Sequence, residues 1–120
     1  GRVLVLFPEG ERSIDGTVKA FKKGAAILSQ HLSAPIVPVA LDGVYDVWPR
    51  GRGLQWRTLL PRFLGGAAAR MTLRFGSPLP PPAAMPSAAT FSQAEAHYSA
   101  AADRLRSTVL EMWQAIHHAA

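Results

Sequence analysis

The chain has 120 residues, of which 48% are hydrophobic, and this is enough for one small domain with a core. It contains no cysteine, which excludes disulfide bonds and thiol catalysis. The 13 lysines and arginines exceed the 8 acidic residues, and the net charge of +5 favours anionic partners such as phosphate substrates, anionic lipid or nucleic acid.

The first part of the chain predicts a strand, a helix and a second strand. Residues 2–7 form an apolar run typical of a buried strand, and a loop rich in glycine and polar residues follows at 8–18. Residues 22–32 predict a helix, and Pro35 prevents it from continuing into the second apolar run at 36–41. Short connections between these elements predict a βαβ unit with parallel strands and a right-handed crossover. Because the chain opens on a strand without methionine, we expect it to be part of a longer protein.

The middle of the chain interleaves aromatic residues and leucines with arginines, over residues 44–66. A short helix interrupted by proline is predicted at 59–64. Apolar and polar residues alternate at 69–75, which predicts a half-exposed strand of the same sheet. A proline-rich connector follows at 76–82.

The last element is a predicted long helix over 92–118, with Ser92 as N-cap and Glu95 completing a capping box. One apolar stripe follows its helical spacing: Tyr98, Ala102, Leu105, Val109, Met112 and Ile116. This stripe predicts packing against the sheet.

The fold class expected from these elements is α/β. It combines a mixed or parallel sheet and a βαβ unit with a long C-terminal helix over one face. We expect a core at 1–43, a variable Trp/Arg-rich region, strand and connector at 44–82, and a helical segment at 83–120.

The most informative motif is the segment Phe7-Pro8-Glu9-Gly10-Glu11-Arg12-Ser13, at the end of the first predicted strand. A loop after a buried strand is where α/β proteins place ligand chemistry. The planar guanidinium group of Arg12 matches the oxygens of a phosphate. The segment therefore indicates a phosphate site.

The stretch from Gly1 to Gly43 resembles the glycerolipid acyltransferases of the 1-acylglycerol-3-phosphate O-acyltransferase type. The resemblance rests on LFPEGERS and on the blocks that follow in order, which are Asp15-Gly16-Thr17, Phe21, Lys23-Gly24-Ala25-Ala26 and Ile36-Val37-Pro38-Val39-Ala40. The one departure in the first block is Glu11, where the family usually has threonine.

The resemblance implies transfer of an acyl group from acyl-CoA or acyl carrier protein to a hydroxyl of lysophosphatidic acid or a related lysophospholipid. It implies no bound cofactor and no metal. The family's base is a histidine followed after four residues by an aspartate, which orients the imidazole. None of His31, His97, His117 and His118 has that pattern. We therefore expect the catalytic pair upstream of Gly1, and the isolated chain to be inactive and marginally stable.

The resemblance also implies acceptor-binding roles for Glu9 and Arg12, with Arg12 on the phosphate and Glu9 orienting the loop. Gly10 and Ser13 add hydrogen-bond donors. An alternative interpretation is an internal ion pair between Glu9 and Arg12. Three lysines near the helix start are possible anion contacts or simply a solvated basic loop, and three further residues are expected to shape the pocket. These are Lys19, Lys22 and Lys23, and Phe7, Pro8 and Pro38 respectively.

Two questions of partner stay open at this point. The Trp/Arg segment at 47–63 fits a membrane surface, on the cytoplasmic face, or a loop with its aromatic side chains folded into the core. A non-catalytic phospholipid-binding module that kept the phosphate loop is the alternative function. A nucleic-acid binder is disfavoured, because no recognised nucleic-acid motif is present.

Overall fold

The computed structural model describes residues 1–119 and has the mixed α/β architecture that the sequence predicts. Within these residues the fold has three α-helices and two β-strands, and two 3₁₀ turns lie between the second helix and the second strand. The elements are α1 (Gly24–Leu32), β1 (Val39–Asp42), α2 (Val44–Val47), β2 (Thr72–Phe75) and α3 (Phe91–His118), and the turns span Trp56–Leu59 and Arg62–Leu64.

The sheet consists of β1 and β2, which pair in antiparallel register with Val39 opposite Phe75 and Asp42 opposite Thr72. A further bridge joins Ile36 to Leu79 beyond the strand ends. The expectation that the strand predicted at 69–75 joins the sheet of the second strand is therefore confirmed.

The prediction of a strand at 2–7 is wrong. Within the described residues, the predicted parallel pairing of a βαβ unit is therefore wrong as well. Residues 2–7 are exposed and pair with no strand, with Val3 93% and Phe7 77% exposed. Apolar composition favours an extended backbone, but a strand forms only where a neighbour satisfies its N–H and C=O groups. Within residues 1–119, the only strand that pairs with β1 is β2, so residues 2–7 form no ladder with it.

The core lies where α3 crosses β1. Ala40 of β1 is completely buried, and Leu105 and Val109 of α3 pack against it. Partly buried apolar side chains surround this centre: Phe21, Ala25, Ile36, Leu79, Met112, Trp113 and Ile116. The predicted stripe on the long helix thus packs on the sheet, and α3 also contacts α1.

The helix ends differ from their predicted positions. The N-cap of α3 is Thr90, whose side chain accepts from the backbone N–H of Gln93 while the Gln93 side chain accepts from that of Thr90. Ser92 and Glu95 therefore lie inside the helix, because Thr90 has the extended backbone that an N-cap requires and Ser92 does not. The short helix predicted at 59–64 is divided into two 3₁₀ turns, because proline at position 61 breaks the hydrogen-bond ladder.

Across residues 1–119, no helix has both the length and the apolar character that crossing a membrane requires.

Candidate functional site

The motif after residues 2–7 forms a tight turn. The N–H of Gly10 donates to the carbonyl oxygen of Phe7 at 3.0 Å, and the N–H of Lys22 donates to that of Pro8 at 2.8 Å. Gly10 has φ +74°, and a Cβ atom there would lie 2.7 Å from Nζ of Lys22. Glycine thus lets the Lys22 ammonium group lie directly against the turn.

Glu9 holds the two ends of the loop together. Its Oε2 atom accepts a hydrogen bond of 2.8 Å from the backbone N–H of Lys19, in a partly buried position. Among the ion pairs of residues 1–119, none joins Glu9 to Arg12. The alternative of an internal Glu9–Arg12 pair is therefore wrong, and the Glu9 carboxylate organises the backbone.

Arg12 lies on an aromatic face. Its guanidinium carbon is 4.6 Å from the ring centroid of Trp48, and its side chain is exposed. Stacking occupies the face of the guanidinium group and leaves its N–H donors, which point outward in its plane, available. Within the described part of the chain, neither Arg12 nor Lys22 is paired with a carboxylate.

The other two lysines of the predicted anion cluster are neutralised. Nζ of Lys19 lies 2.7 Å from Oδ2 of Asp15. Lys23 forms an ion pair with Glu95 on α3. The structure therefore divides the predicted cluster, and of its three lysines Lys22 alone keeps an uncompensated charge within residues 1–119.

Asp15 organises the centre of the loop. Its Oδ1 atom accepts from the backbone N–H of Thr17 at 3.1 Å, from the Thr17 hydroxyl at 2.7 Å and from the Ser13 hydroxyl at 3.2 Å. The hydrogen bond from Lys19, followed by those from Thr17, holds the pKa of Asp15 well below its ordinary value. The Ser13 hydroxyl, predicted as a ligand donor, thus donates within the loop.

Arg106 of α3 holds the C-terminal end of the loop by two hydrogen bonds. Nε of Arg106 donates to the carbonyl oxygen of Lys19 at 2.8 Å, and Nη2 donates to that of Val18 at 3.0 Å. These contacts are partly buried and join residues nearly ninety positions apart. Sequence reasoning missed Arg106, because no local pattern links an arginine on a helix to a distant loop.

The segment that follows β1 contacts the loop as well. The hydroxyl of Tyr45 donates to the carbonyl oxygen of Ile14 at 2.7 Å. Arg50 forms an ion pair with Glu11, at the position where the acyltransferases that this chain resembles usually have threonine. The additional negative charge at position 11 is therefore neutralised from the opposite side of the loop.

The three residues predicted to shape a pocket differ in their burial. Pro8 is half-buried in the turn, and Phe7 is exposed. Pro38 is buried before β1, where its carbonyl oxygen accepts from the N–H of Gly76 at 2.9 Å. Pro38 thus marks the entrance to a strand, as its missing N–H requires.

One histidine has an aspartate partner that sequence spacing does not reveal. Nδ1 of His117 lies 3.0 Å from Oδ1 of Asp42, and Trp113 stacks on the imidazole at 4.6 Å between ring centroids. This contact ties the end of α3 to the end of β1. In residues 1–119, no group of three or more His, Asp or Glu side chains is placed to hold a metal ion.

Comparison with known proteins relates the loop to one family. Residues 1–42 match the profile of the family described as Acyltransferase. A 1-acyl-sn-glycerol-3-phosphate acyltransferase of Limnanthes douglasii is 46% identical over 48 residues, which are 40% of this chain and 17% of that protein. The chloroplastic enzyme BAT2 of Brassica napus, of the same name, is 41% identical over 51 residues, which are 42% of this chain and 15% of that protein. The matched segment is therefore a small part of these relatives.

The fold extends the similarity beyond the matched segment. The crystal structure of the 1-acyl-sn-glycerophosphate (LPA) acyltransferase PlsC from Thermotoga maritima superposes with a TM-score of 0.60. The superposition covers 92% of this chain and 37% of that protein, at 22% sequence identity. The antiparallel strand pair and the long helix thus belong to the same fold as part of that enzyme.

Proposed function

We propose, from the membership of residues 1–42 in the acyltransferase family, that this chain forms the acceptor-binding part of an enzyme that acylates lysophosphatidic acid or a related lysophospholipid. The names of the similar proteins favour an acyltransferase over a non-catalytic phospholipid-binding module.

The observation that carries this proposal is the pair of uncompensated cations at the turn. Arg12 presents in-plane donors beside the turn, and the Lys22 ammonium group lies against Gly10. A phosphate monoester is a dianion near neutral pH and needs such charges, because its own desolvation is costly. Lys19 and Lys23 contribute little, because each already has a carboxylate partner.

Glu9, Asp15 and Arg106 position these cations without touching the acceptor. Each of them holds loop atoms by hydrogen bonds. A loop fixed in advance binds its ligand without first losing conformational entropy. The Ser13 hydroxyl and the N–H of Gly10 serve the loop in the same way.

The chemical step requires a base that removes the proton from the acceptor hydroxyl as its oxygen attacks the thioester carbonyl. The thiolate of coenzyme A or of acyl carrier protein is the leaving group. We assign this base to a histidine outside residues 1–120. His117 pairs with Asp42 as a structural tie between α3 and β1, stacked beneath Trp113.

We propose that the reaction takes place at a membrane surface, because the acyl chain of the acceptor partitions into lipid, and we propose the cytoplasmic side of that membrane. A peripheral association is sufficient for this arrangement.

The decisive experiment is steady-state kinetics of the complete gene product with Arg12→Ala. Loss of a bidentate, charge-assisted contact costs about 2–4 kcal/mol, so the KM for the acceptor should rise at least about 30-fold while the KM for the donor stays constant. Arg104→Ala is the matched control, because Arg104 is an exposed arginine on α3 that forms no ion pair within residues 1–119. Unchanged acceptor kinetics in Arg12→Ala would refute the assignment.

The location of the base is tested separately with His117→Gln. This variant should keep the wild-type kcat, and the 120-residue chain alone should cleave no thioester in the presence of acceptor. A large loss of kcat in His117→Gln, or turnover by the chain alone, would place the base within these residues.

A further inference from the structure

Charge is strongly segregated along the chain. No aspartate or glutamate occurs between Asp46 and Glu95, whereas six of the 13 basic residues do. The remaining residues carry seven basic and eight acidic side chains, so the entire positive excess of the protein resides in this stretch. The six residues are Arg50, Arg52, Arg57, Arg62, Arg70 and Arg74. Among the residues the structure describes, only Arg50 of these six pairs with a carboxylate.

Residues 48–64, hereafter the docking segment, add exposed apolar side chains to these arginines. Phe63 is 84% exposed and Trp56 60% exposed. Half or more of the side-chain surface is also exposed in Trp48, Leu54 and Leu64. The alternative in which these aromatic residues fold into the core is therefore wrong, because the core contains none of them.

The docking segment has a defined backbone that holds these side chains outward. The N–H of Gln55 donates to the carbonyl oxygen of Val47, and that of Ala69 donates to Thr58, both at 2.7 Å. The N–H of Ala68 donates to the carbonyl oxygen of Leu60 at 2.9 Å. Several backbone groups of the segment are thus paired internally, which lowers the cost of placing it at a lipid surface.

We propose that the docking segment binds the surface of an anionic bilayer. Arginines meet the negative headgroups, and the indole rings occupy the interfacial region that tryptophan prefers. Phenylalanine and leucine side chains then enter the outer acyl region. A nucleic acid would use the same charges, but it offers no apolar region for Leu54, Phe63 and Leu64.

The docking segment is joined to the phosphate loop by two contacts. Trp48 stacks on Arg12, and Arg50 pairs with Glu11. The loop therefore lies at the edge of the proposed membrane-binding face, where a lipid phosphate at headgroup level reaches Arg12. This inference rests on the proposed function in that the acceptor is taken from the bilayer, but membrane binding itself requires no acyl transfer.

Vesicle flotation of the whole 120-residue chain tests the proposal, because aggregated protein sinks while vesicle-bound protein floats. Phosphatidylcholine vesicles with and without phosphatidylglycerol are compared at low and high salt. Arg52→Gln/Arg57→Gln should weaken binding at least about tenfold, since each basic residue near such a surface contributes several-fold. Arg104→Gln, which removes one positive charge on α3 outside the docking segment, should bind like wild type.

The apolar contribution is tested with a second matched pair. Phe63→Ala should weaken flotation several-fold, whereas Phe91→Ala, at a position 83% exposed at the start of α3, should not. Equal binding to vesicles without phosphatidylglycerol would overturn the proposal. So would equal effects of the variants and their controls, or binding of duplex DNA that vesicles do not displace. Acceptor kinetics with a water-soluble, short-chain substrate report on Arg12 separately, so a failure of docking is distinguishable from a failure of the proposed function.

Discussion

Replacement of Trp48 by alanine should raise the KM for the acceptor without changing that for the donor. The Arg12 guanidinium group lies 4.6 Å from the Trp48 ring centroid, and both side chains are exposed. A cation–π contact at an exposed site contributes about 0.5–1 kcal/mol, because water competes for the cation. Without the ring, the Arg12 side chain is no longer held in place before phosphate binds, and binding must offset the loss of about 0.5–1 kcal/mol. The expected increase in acceptor KM is therefore about two- to fivefold.

The assay uses the complete gene product and a short-chain acceptor that dissolves as a monomer, so that membrane docking does not contribute to KM. Trp48→Phe should give a smaller increase than Trp48→Ala, because phenylalanine keeps an aromatic face of weaker electrostatic attraction. Trp56→Ala is the control, because Trp56 is similarly exposed and does not contact Arg12. The reasoning is refuted if Trp48→Ala and Trp56→Ala have the same acceptor KM, or if the change falls on the donor alone.

Three further outcomes follow from the loop and the strand ends. Arg50→Ala should raise the acceptor KM two- to fivefold by leaving the Glu11 carboxylate uncompensated, an effect of at most about 1 kcal/mol for an exposed pair; the same change in a Glu11→Thr background should have no effect, which a double-mutant cycle in KM measures. Gly43→Ala should lower stability by more than about 2 kcal/mol in thermal unfolding, because position 43 has φ +83° and a Cβ atom there would lie 1.9 Å from a backbone carbonyl oxygen; Gly51→Ala, with positive φ but open space, should lose less. Folding lowers the pKa of Asp15 from its ordinary value near 3.8. The ionised Asp15 carboxylate therefore stabilises the folded state above pH 3.8, and this stability is lost as the pH falls through the lower pKa of the folded state. A carboxyl-carbon NMR titration in which Asp15 is protonated near pH 4 would contradict this.

The elements that the sequence predicts well are those with a clear internal periodicity of apolar residues. The stripe on α3 repeats over about five turns, and the alternation at 69–75 marks β2, so both could be located from spacing alone. The run at 2–7 has the same local quality as β1 but remains unpaired in residues 1–119. A strand forms only when two segments pair, and the sequence of one segment does not show whether it will find a partner.

The residues of the candidate site could be predicted from the sequence, but the contacts that they make could not. The sequence places Glu9 and Arg12 in a loop and the three lysines near the start of the helix, and all five residues precede α1 in the structure. It could not indicate which lysines are neutralised, because Glu95 and Asp15 reach them from opposite directions along the chain. The Arg106 clamp and the Trp48 stack were likewise outside any local pattern, since both contacts are made only when the chain has folded.

The long helix α3 has a consequence for how this domain can be recombined with its relatives. Glu95 and Arg106 lie about three turns apart on α3, and both hold the end of the loop that precedes α1, Glu95 through Lys23 and Arg106 through the backbone at residues 18–19. Sequence similarity to the family covers residues 1–42, so these two supports lie outside the segment that is shared. A chimaera that receives only the shared block would inherit the loop's residues and lose the scaffold that shapes them. Transplanting this loop into a similar protein therefore calls for moving α3 with it.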